Sequence, residues 1–162
     1  MIFVTIGTQL PFDRLIKIID ELAPQLNEEV VAQVHQCGFI PKNIKTIDFL
    51  APNEFDKLFD QARFVVSHAG MGTILSALKK GKSLIVFPRI AALGEHRNEH
   101  QLATARIFKE MGIVNVAMNE DELRGLLLCN DLHPVQRIPN KASASLIQSI
   151  ESFIDGQNDY SL

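Results

Sequence analysis

A histidine and two glycines stand directly behind an apolar run in Phe64-Val65-Val66-Ser67-His68-Ala69-Gly70-Met71-Gly72-Thr73. A helical pattern follows to Lys80 and is closed by Gly81. A strand that ends in a small polar loop and hands on to a helix turns free backbone N–H groups outward. The first N–H groups of a helix lack an intrahelical acceptor, and the helix dipole adds about half a positive charge there. A phosphate is the natural guest, and glycine lets it come close. The expected ligand is therefore a nucleotide diphosphate, with Ser67, His68, Gly70, Met71, Gly72 and Thr73 around it. Thr73 either caps the helix or donates to a phosphate oxygen. His68 is either a partner for diphosphate charge or an ordinary satisfied loop residue. No Gly-Lys-Ser/Thr follows, so this is not a Walker A loop.

Two further loops carry polar chemistry. Gly7-Thr8-Gln9 breaks the first apolar run, either to present N–H groups and the Thr8 hydroxyl to a ligand or simply to turn. It lacks G-x-G-x-x-G, which leaves a dinucleotide fingerprint unsupported. Pro88-Arg89 is followed by Gly94-Glu95-His96-Arg97-Asn98-Glu99-His100-Gln101. Such side chains suit sugar hydroxyls, which both donate and accept. Arg89, Glu95, His96, Asn98, Glu99, His100 and Gln101 are the expected ligand contacts here. The competing reading is a solvated loop with Asn98 capping a helix and Gln101 completing the box. His96 and His100 stand four apart, but the run is not H-E-x-x-H and Gly94 puts the first histidine in a loop. No metal site is expected. The candidates for a general base are His68, His96, His100 and Glu99, with His68 and Glu99 the provisional catalytic pair.

The elements that must position these loops alternate along the chain. Apolar, β-branched runs over 1–6, 30–34, 44–49, 64–67, 83–88 and 113–116 predict strands. Helical spacing predicts helices through Phe12–Leu22, after Pro52, and over 73–80, 99–111, 121–128 and 142–154. Leu102, Ala105, Ile107, Phe108 and Met111 are the expected core face of the helix over 99–111. This alternation implies an α/β fold, a Rossmann-like parallel sheet with helices on both faces. Ligands of such sheets bind at the carboxyl ends of the strands, and all three polar loops follow strands.

The bulk properties narrow the function further. The chain has 162 residues, a net charge of −3 and 46% hydrophobic residues, which fits one domain over 1–156 with a polar tail over 157–162. The charge offers no field for a nucleic-acid backbone. Trp is absent and Tyr160 is the single tyrosine, which argues against a base-stacking surface. No signal-peptide pattern and no membrane-spanning run is expected. Cys37 and Cys129 have no CxxC spacing and read as reduced, structural thiols. Lys79, Lys80 and Lys82 cluster at a helix end, where dipole compensation accounts for them.

Together, Val4-Thr5-Ile6-Gly7-Thr8, the Ser67–Thr73 loop and the Pro88–Gln101 segment resemble the C-terminal domain of family 28 glycosyltransferases over about residues 1–130. The likeness is to the single-domain type. That type includes the catalytic subunit of the two-part eukaryotic enzyme that adds the second GlcNAc to dolichol diphosphate. It also includes bacterial exopolysaccharide subunits of the PssE type, which the Gly-Glu-His-x-x-x-His-Gln run resembles. The resemblance implies a GT-B C-terminal lobe that binds a UDP-sugar without an essential metal or other cofactor. It implies hexosyl transfer to a lipid-linked saccharide acceptor. A membrane-anchored partner subunit would bind that acceptor and hold this chain at the cytoplasmic face of the membrane. By position, Gly7 and Thr8 would line the cleft, His68, Gly70, Gly72 and Thr73 would surround the diphosphate, and Glu99, His100 and Gln101 would face donor sugar or ribose. Many relatives carry Glu where this chain has Ser76, which bears on ribose contact or donor preference. The rival readings are a non-catalytic nucleotide-binding regulatory subunit, a sugar-nucleotide epimerase of similar fold, and a scaffold whose loops are only turns.

Overall fold

The computed structural model describes residues 1–129 together with residues 131, 132 and 135. The expected helix over 142–154, the polar tail over 157–162 and the end of the expected 1–156 domain lie outside them.

Six strands form one parallel sheet: β1 (Ile2–Thr5), β2 (Val30–Gln33), β3 (Lys45–Ile47), β4 (Phe64–Ser67), β5 (Leu84–Val86) and β6 (Asn115–Val116). Their order is β3-β2-β1-β4-β5-β6, and every pairing is parallel. The helices are α1 (Asp13–Leu22), α2 (Pro52–Gln61), α3 (Met71–Lys80), α4 (His100–Met111) and α5 (Glu120–Leu128). Short 3-10 turns follow α1 at Ala23–Gln25 and β5 at Ala91–Leu93.

The central strands are buried on both faces, hence their unbroken apolar runs. Ile2, Val4, Phe64, Val66 and Ile85 pack with α1 and α5 residues such as Leu15, Ile19 and Leu123. Phe3, Val65, Leu84 and Val86 pack on the other face with Phe59 of α2, Ile74 and Leu78 of α3, and Ala105 and Phe108 of α4. This is the Rossmann-like arrangement read from the alternation of elements. The edge strand β3 departs from its apolar reading. It is three residues long and largely exposed, and Phe49 beyond it is 69% exposed.

The register lines up the carboxyl ends. Thr5 pairs with Gln33 on one side and Ser67 on the other, and Ser67 pairs with Val86. The chain leaves β1 toward β2 and leaves β4 toward β5, in opposite directions along the sheet. The loops behind β1 and β4 therefore diverge and open a crevice between them, the usual ligand position in such sheets.

Helix α4 corrects one reading. Gln101, Ala105 and Phe108 form its buried stripe, whereas Ile107 and Met111 are 55% and 59% exposed. Ile107 stands two residues from Ala105, about 200° around the helix, and so faces away from the sheet. The lysine cluster is held by the protein itself. Lys80 Nζ donates to Asp56 and Asp60, and Lys82 Nζ donates to the Asp60 and Ala62 carbonyls, tying α3 to α2. Among the described residues no helix is long and apolar enough to cross a membrane.

Candidate functional site

At the divergence of β1 and β4 lies an open cleft of about 490 Å³, lined by Gly7, Thr8, Gln9, His68, Ala69, Gly70, Met71, His96, His100, Gln101 and Thr104. All three polar loops contribute to it. A smaller cleft of about 420 Å³ shares Gln9 and His96 and adds Leu10, Arg97 and Asn98.

Helix α3 begins at Met71, two residues earlier than its sequence pattern suggests, because Gly70 adopts the N-cap position. Thr73 consequently lies inside the first turn and is not the cap. The Gly70 N–H donates to the His68 carbonyl at 2.8 Å, and the first helical bond runs from the Ile74 N–H to the Gly70 carbonyl at 3.2 Å. The N–H groups of Met71, Gly72 and Thr73 have no hydrogen-bond acceptor among the described residues. Three unpaired amides therefore stand at the head of a ten-residue helix, beside the cleft that Met71 and Gly70 line. The Ser76 hydroxyl folds back onto the Gly72 carbonyl at 2.9 Å, within the same turn.

His68 is wedged between two glycines. A Cβ on Gly7 would stand 2.8 Å from His68 Cε1, and one on Gly70 would stand 2.3 Å from Nε2. Gly7 also has φ +75°, a left-handed conformation that side chains resist. Burial pushes the His68 imidazole down to about 4, and the positive charge of Arg89 adds to the shift. The ring is neutral near pH 7, so as a partner for diphosphate charge it would act through a hydrogen bond. It remains a polar wall that can donate or accept one hydrogen bond.

Several expected contacts have side chains committed elsewhere. Ser67 is fully buried, and its hydroxyl donates to the His68 carbonyl at 2.7 Å. Glu95 accepts Arg14 Nε at 2.7 Å and Nη2 at 2.8 Å, and also takes the Ile90 N–H at 2.8 Å. Arg89 is 2% exposed, and its Nη2 donates to the carbonyls of Ile6 and Leu10. Glu95 and Arg89 thus fasten the loops from within. Glu99 is exposed at the N-cap of α4 and outside the cleft lining, so it does not sit as a base within the cleft. Gly72 and Thr73 bound the helix start without lining the cleft.

The capping box also fails. Asn98 Oδ1 accepts the His100 N–H at 3.1 Å, but Gln101 turns inward and accepts the Arg89 N–H at 3.1 Å. His96 Nδ1 lies 3.0 Å from the Asn98 carbonyl and, in its Nδ1–H tautomer, donates to it. His68, His96 and His100 line one cleft, yet no group of three or more His, Cys, Asp or Glu could hold a metal ion among the described residues.

Gln9 of the Gly7–Gln9 loop lines the cleft, and Ala69 and Thr104 join it without having been expected contacts. Thr104 was within reach of sequence reasoning. It follows His100 by four residues, so a helix that starts at His100 carries both on one face. The cysteines are free thiols. Cys37 donates to Asp13 Oδ1 at 3.0 Å and burial pushes its thiol up to about 11, while Cys129 is exposed.

The sequence profile of the glycosyltransferase family 28 C-terminal domain matches residues 1–156. The chain is similar to the UDP-N-acetylglucosamine transferase subunit ALG13 of Eremothecium gossypii, 24% identical across 92% of both chains. It is 32% identical over 108 residues to the subunit of that name from Mus musculus, covering 60% of this chain but only 9% of the mouse protein. Among solved structures, that of ALG13 superposes with TM-score 0.57 at 21% identity, covering 91% of this chain and 93% of that one. The glycosyltransferase of kitacinnamycin gives the same TM-score and identity, covering 80% of this chain and 35% of its own. These likenesses place the fold among GT-B glycosyltransferases. With the profile spanning nearly its whole length, the chain belongs to the family of glycosyltransferase family 28 C-terminal domains.

Proposed function

We propose that this chain is the donor-binding subunit of a two-subunit hexosyltransferase. It binds a UDP-sugar in the cleft between the β1 and β4 loops. A membrane-anchored partner subunit supplies a lipid-linked saccharide acceptor at the cytoplasmic face, in polysaccharide synthesis. The observation that carries this reading is the trio of unpaired amides at Met71, Gly72 and Thr73 beside that cleft. The name of the ALG13 relatives, UDP-N-acetylglucosamine transferase subunit, supports the choice of donor class and of a subunit role.

The chemistry follows from where charge develops. An acceptor hydroxyl attacks C1 of the sugar as the bond from C1 to the diphosphate oxygen breaks. That electron pair leaves with UDP, and the hydroxyl proton passes to a base. Fixed N–H dipoles oppose the growing diphosphate charge more strongly than the ground-state charge, which lowers the barrier. No metal is required of such a site. The described lining carries no carboxylate, so we assign the base to the partner, or to a neutral histidine of the cleft.

Calorimetric titration of UDP, followed by a transfer assay with a panel of UDP-sugars and the partner subunit, tests the reading. Micromolar UDP binding with transfer of one sugar supports it. UDP binding without transfer in the complete complex favours a regulatory subunit. No UDP binding leaves the loops as turns and ends the proposal.

A further inference from the structure

Arg89 is an unusual residue to bury. It leaves the end of β5 and is 2% exposed, with its guanidinium carbon 5.2 Å from the Phe12 ring centroid. Its Nη2 donates to the Ile6 carbonyl at 2.8 Å and to the Leu10 carbonyl, the two residues that bracket Gly7, Thr8 and Gln9. Its own N–H is taken by Gln101 of the cleft wall at 3.1 Å. Its Nε is buried without a hydrogen-bond partner among the described residues.

The charge around it does not balance. The carboxylate acting on Arg89 is that of Glu95, and Glu95 is already held by both Arg14 Nε and Nη2. Two guanidinium groups thus share one carboxylate, leaving a net positive charge in a place with little water to screen it. Isolated buried charge is costly unless something opposes it. The cleft lining itself carries no Asp or Glu. The field of Arg89 reaches that lining, since it is among the causes that keep the His68 imidazole neutral. Burial brings the guanidinium down only to about 10, so the charge persists at neutral pH.

We propose that Arg89 is a positioning residue and a fixed counter-charge. From beneath the Gly7–Gln9 loop it holds that loop in place and supplies positive potential to an anionic diphosphate that it does not touch. This rests on the cleft binding a nucleoside diphosphate, as proposed above. It assigns part of the work that a divalent cation does elsewhere to a buried guanidinium, with the α3 amides doing the rest. A bound diphosphate would oppose the charge that Glu95 shares between Arg89 and Arg14.

The test compares a charged and an uncharged ligand on the full chain. UDP and uridine are titrated against wild type, Arg89→Met and Arg89→Lys, with amide spectra to verify folding. Arg89→Met is expected to lose UDP affinity by about tenfold or more, the scale of a unit charge acting through a partly buried medium. Uridine affinity should stay unchanged, and Arg89→Lys should retain most of the UDP affinity. The imidazole titration of His68, followed by NMR without ligand, should move to higher pH in Arg89→Met. Equal losses for UDP and uridine would make Arg89 merely structural and overturn the proposal, as would unchanged UDP binding in folded Arg89→Met. If Arg89→Met does not fold, Arg89→Lys decides: a folded Lys variant that binds uridine but not UDP overturns it, and one that keeps UDP supports it. Wild type that ignores UDP overturns the donor-binding reading and this inference together. Wild type that binds UDP leaves the variants to test the inference alone.

Discussion

Arg14 of α1 and Glu95 of the loop behind β5 lie 81 residues apart and meet in a two-pronged ion pair at 2.7 and 2.8 Å. The guanidinium lies 4.3 Å from the Phe87 ring centroid and also donates to the Pro88 carbonyl at 3.1 Å. Glu95 in turn holds the Ile90 N–H, so one carboxylate fixes the turn that leads to His96 and His100. Charges placed this deep act as a clasp, because losing either partner strands the other.

Glu95→Ala is expected to cost about 3 kcal/mol of stability, the scale of a broken, largely buried pair. Urea denaturation measures it. A loss below about 1 kcal/mol would put the pair in the class of ordinary surface contacts.

Histidine 68 gives the fold an acid-side weakness. Its folded pKa of about 4 lies below the ordinary value of 6.5. The unfolded chain therefore binds this proton first as pH falls, and its binding favours unfolding. Stability should drop between about pH 6.5 and 4, by at most about 1.4 kcal/mol per pH unit from this group. Denaturant midpoints across that window measure it, and His68→Asn should flatten that part of the profile. A wild-type His68 imidazole that titrates near 6.5 by NMR would refute the account.

The two glycines of the β4–α3 corner should respond differently. Gly70→Ala drives a methyl against His68 Nε2 and is expected to lower stability by about 1–3 kcal/mol while displacing the ring. Gly72 has no heavy atom within 4 Å of a would-be Cβ, so Gly72→Val should fold with little change. It should nevertheless weaken UDP strongly, by placing bulk over the free amides. Thermal melts and calorimetry on the two variants separate the effects, and equal UDP affinity in wild type and Gly72→Val would contradict the anion role of that corner.

UDP should stabilise the chain without added metal. At a ligand concentration 100 times the dissociation constant the gain is about 2.7 kcal/mol. The same thermal shift is expected with EDTA present as with magnesium. A shift that vanishes with chelator would mean that the diphosphate needs a cation this site was expected to do without.

The sheet was legible because β1, β2, β4 and β5 are buried on both faces and write uninterrupted apolar runs into the sequence. The β4–α3 corner was legible because strand, glycines and helix follow one another without a gap. Which side chains face the cleft was less accessible, since polar residue type does not encode direction. Glu95 and Arg89 suit a ligand by chemistry, but each reaches an acceptor or donor supplied by distant chain, Arg14 for one and Ile6 and Leu10 for the other. Gln101 fits a capping box by spacing, yet the free N–H of Arg89 claims its amide oxygen. Ile107 and Met111 were misplaced because α4 buries a narrow stripe through 101, 105 and 108, and apolar composition does not reveal where a stripe stops.

The imidazole caught between Gly7 and Gly70 ties three positions from two strand ends into a single unit. Enlarging either glycine displaces the ring, and Gly7 keeps its left-handed φ of +75° as a separate reason to stay glycine. A change at any one of the three positions is therefore felt at the other two.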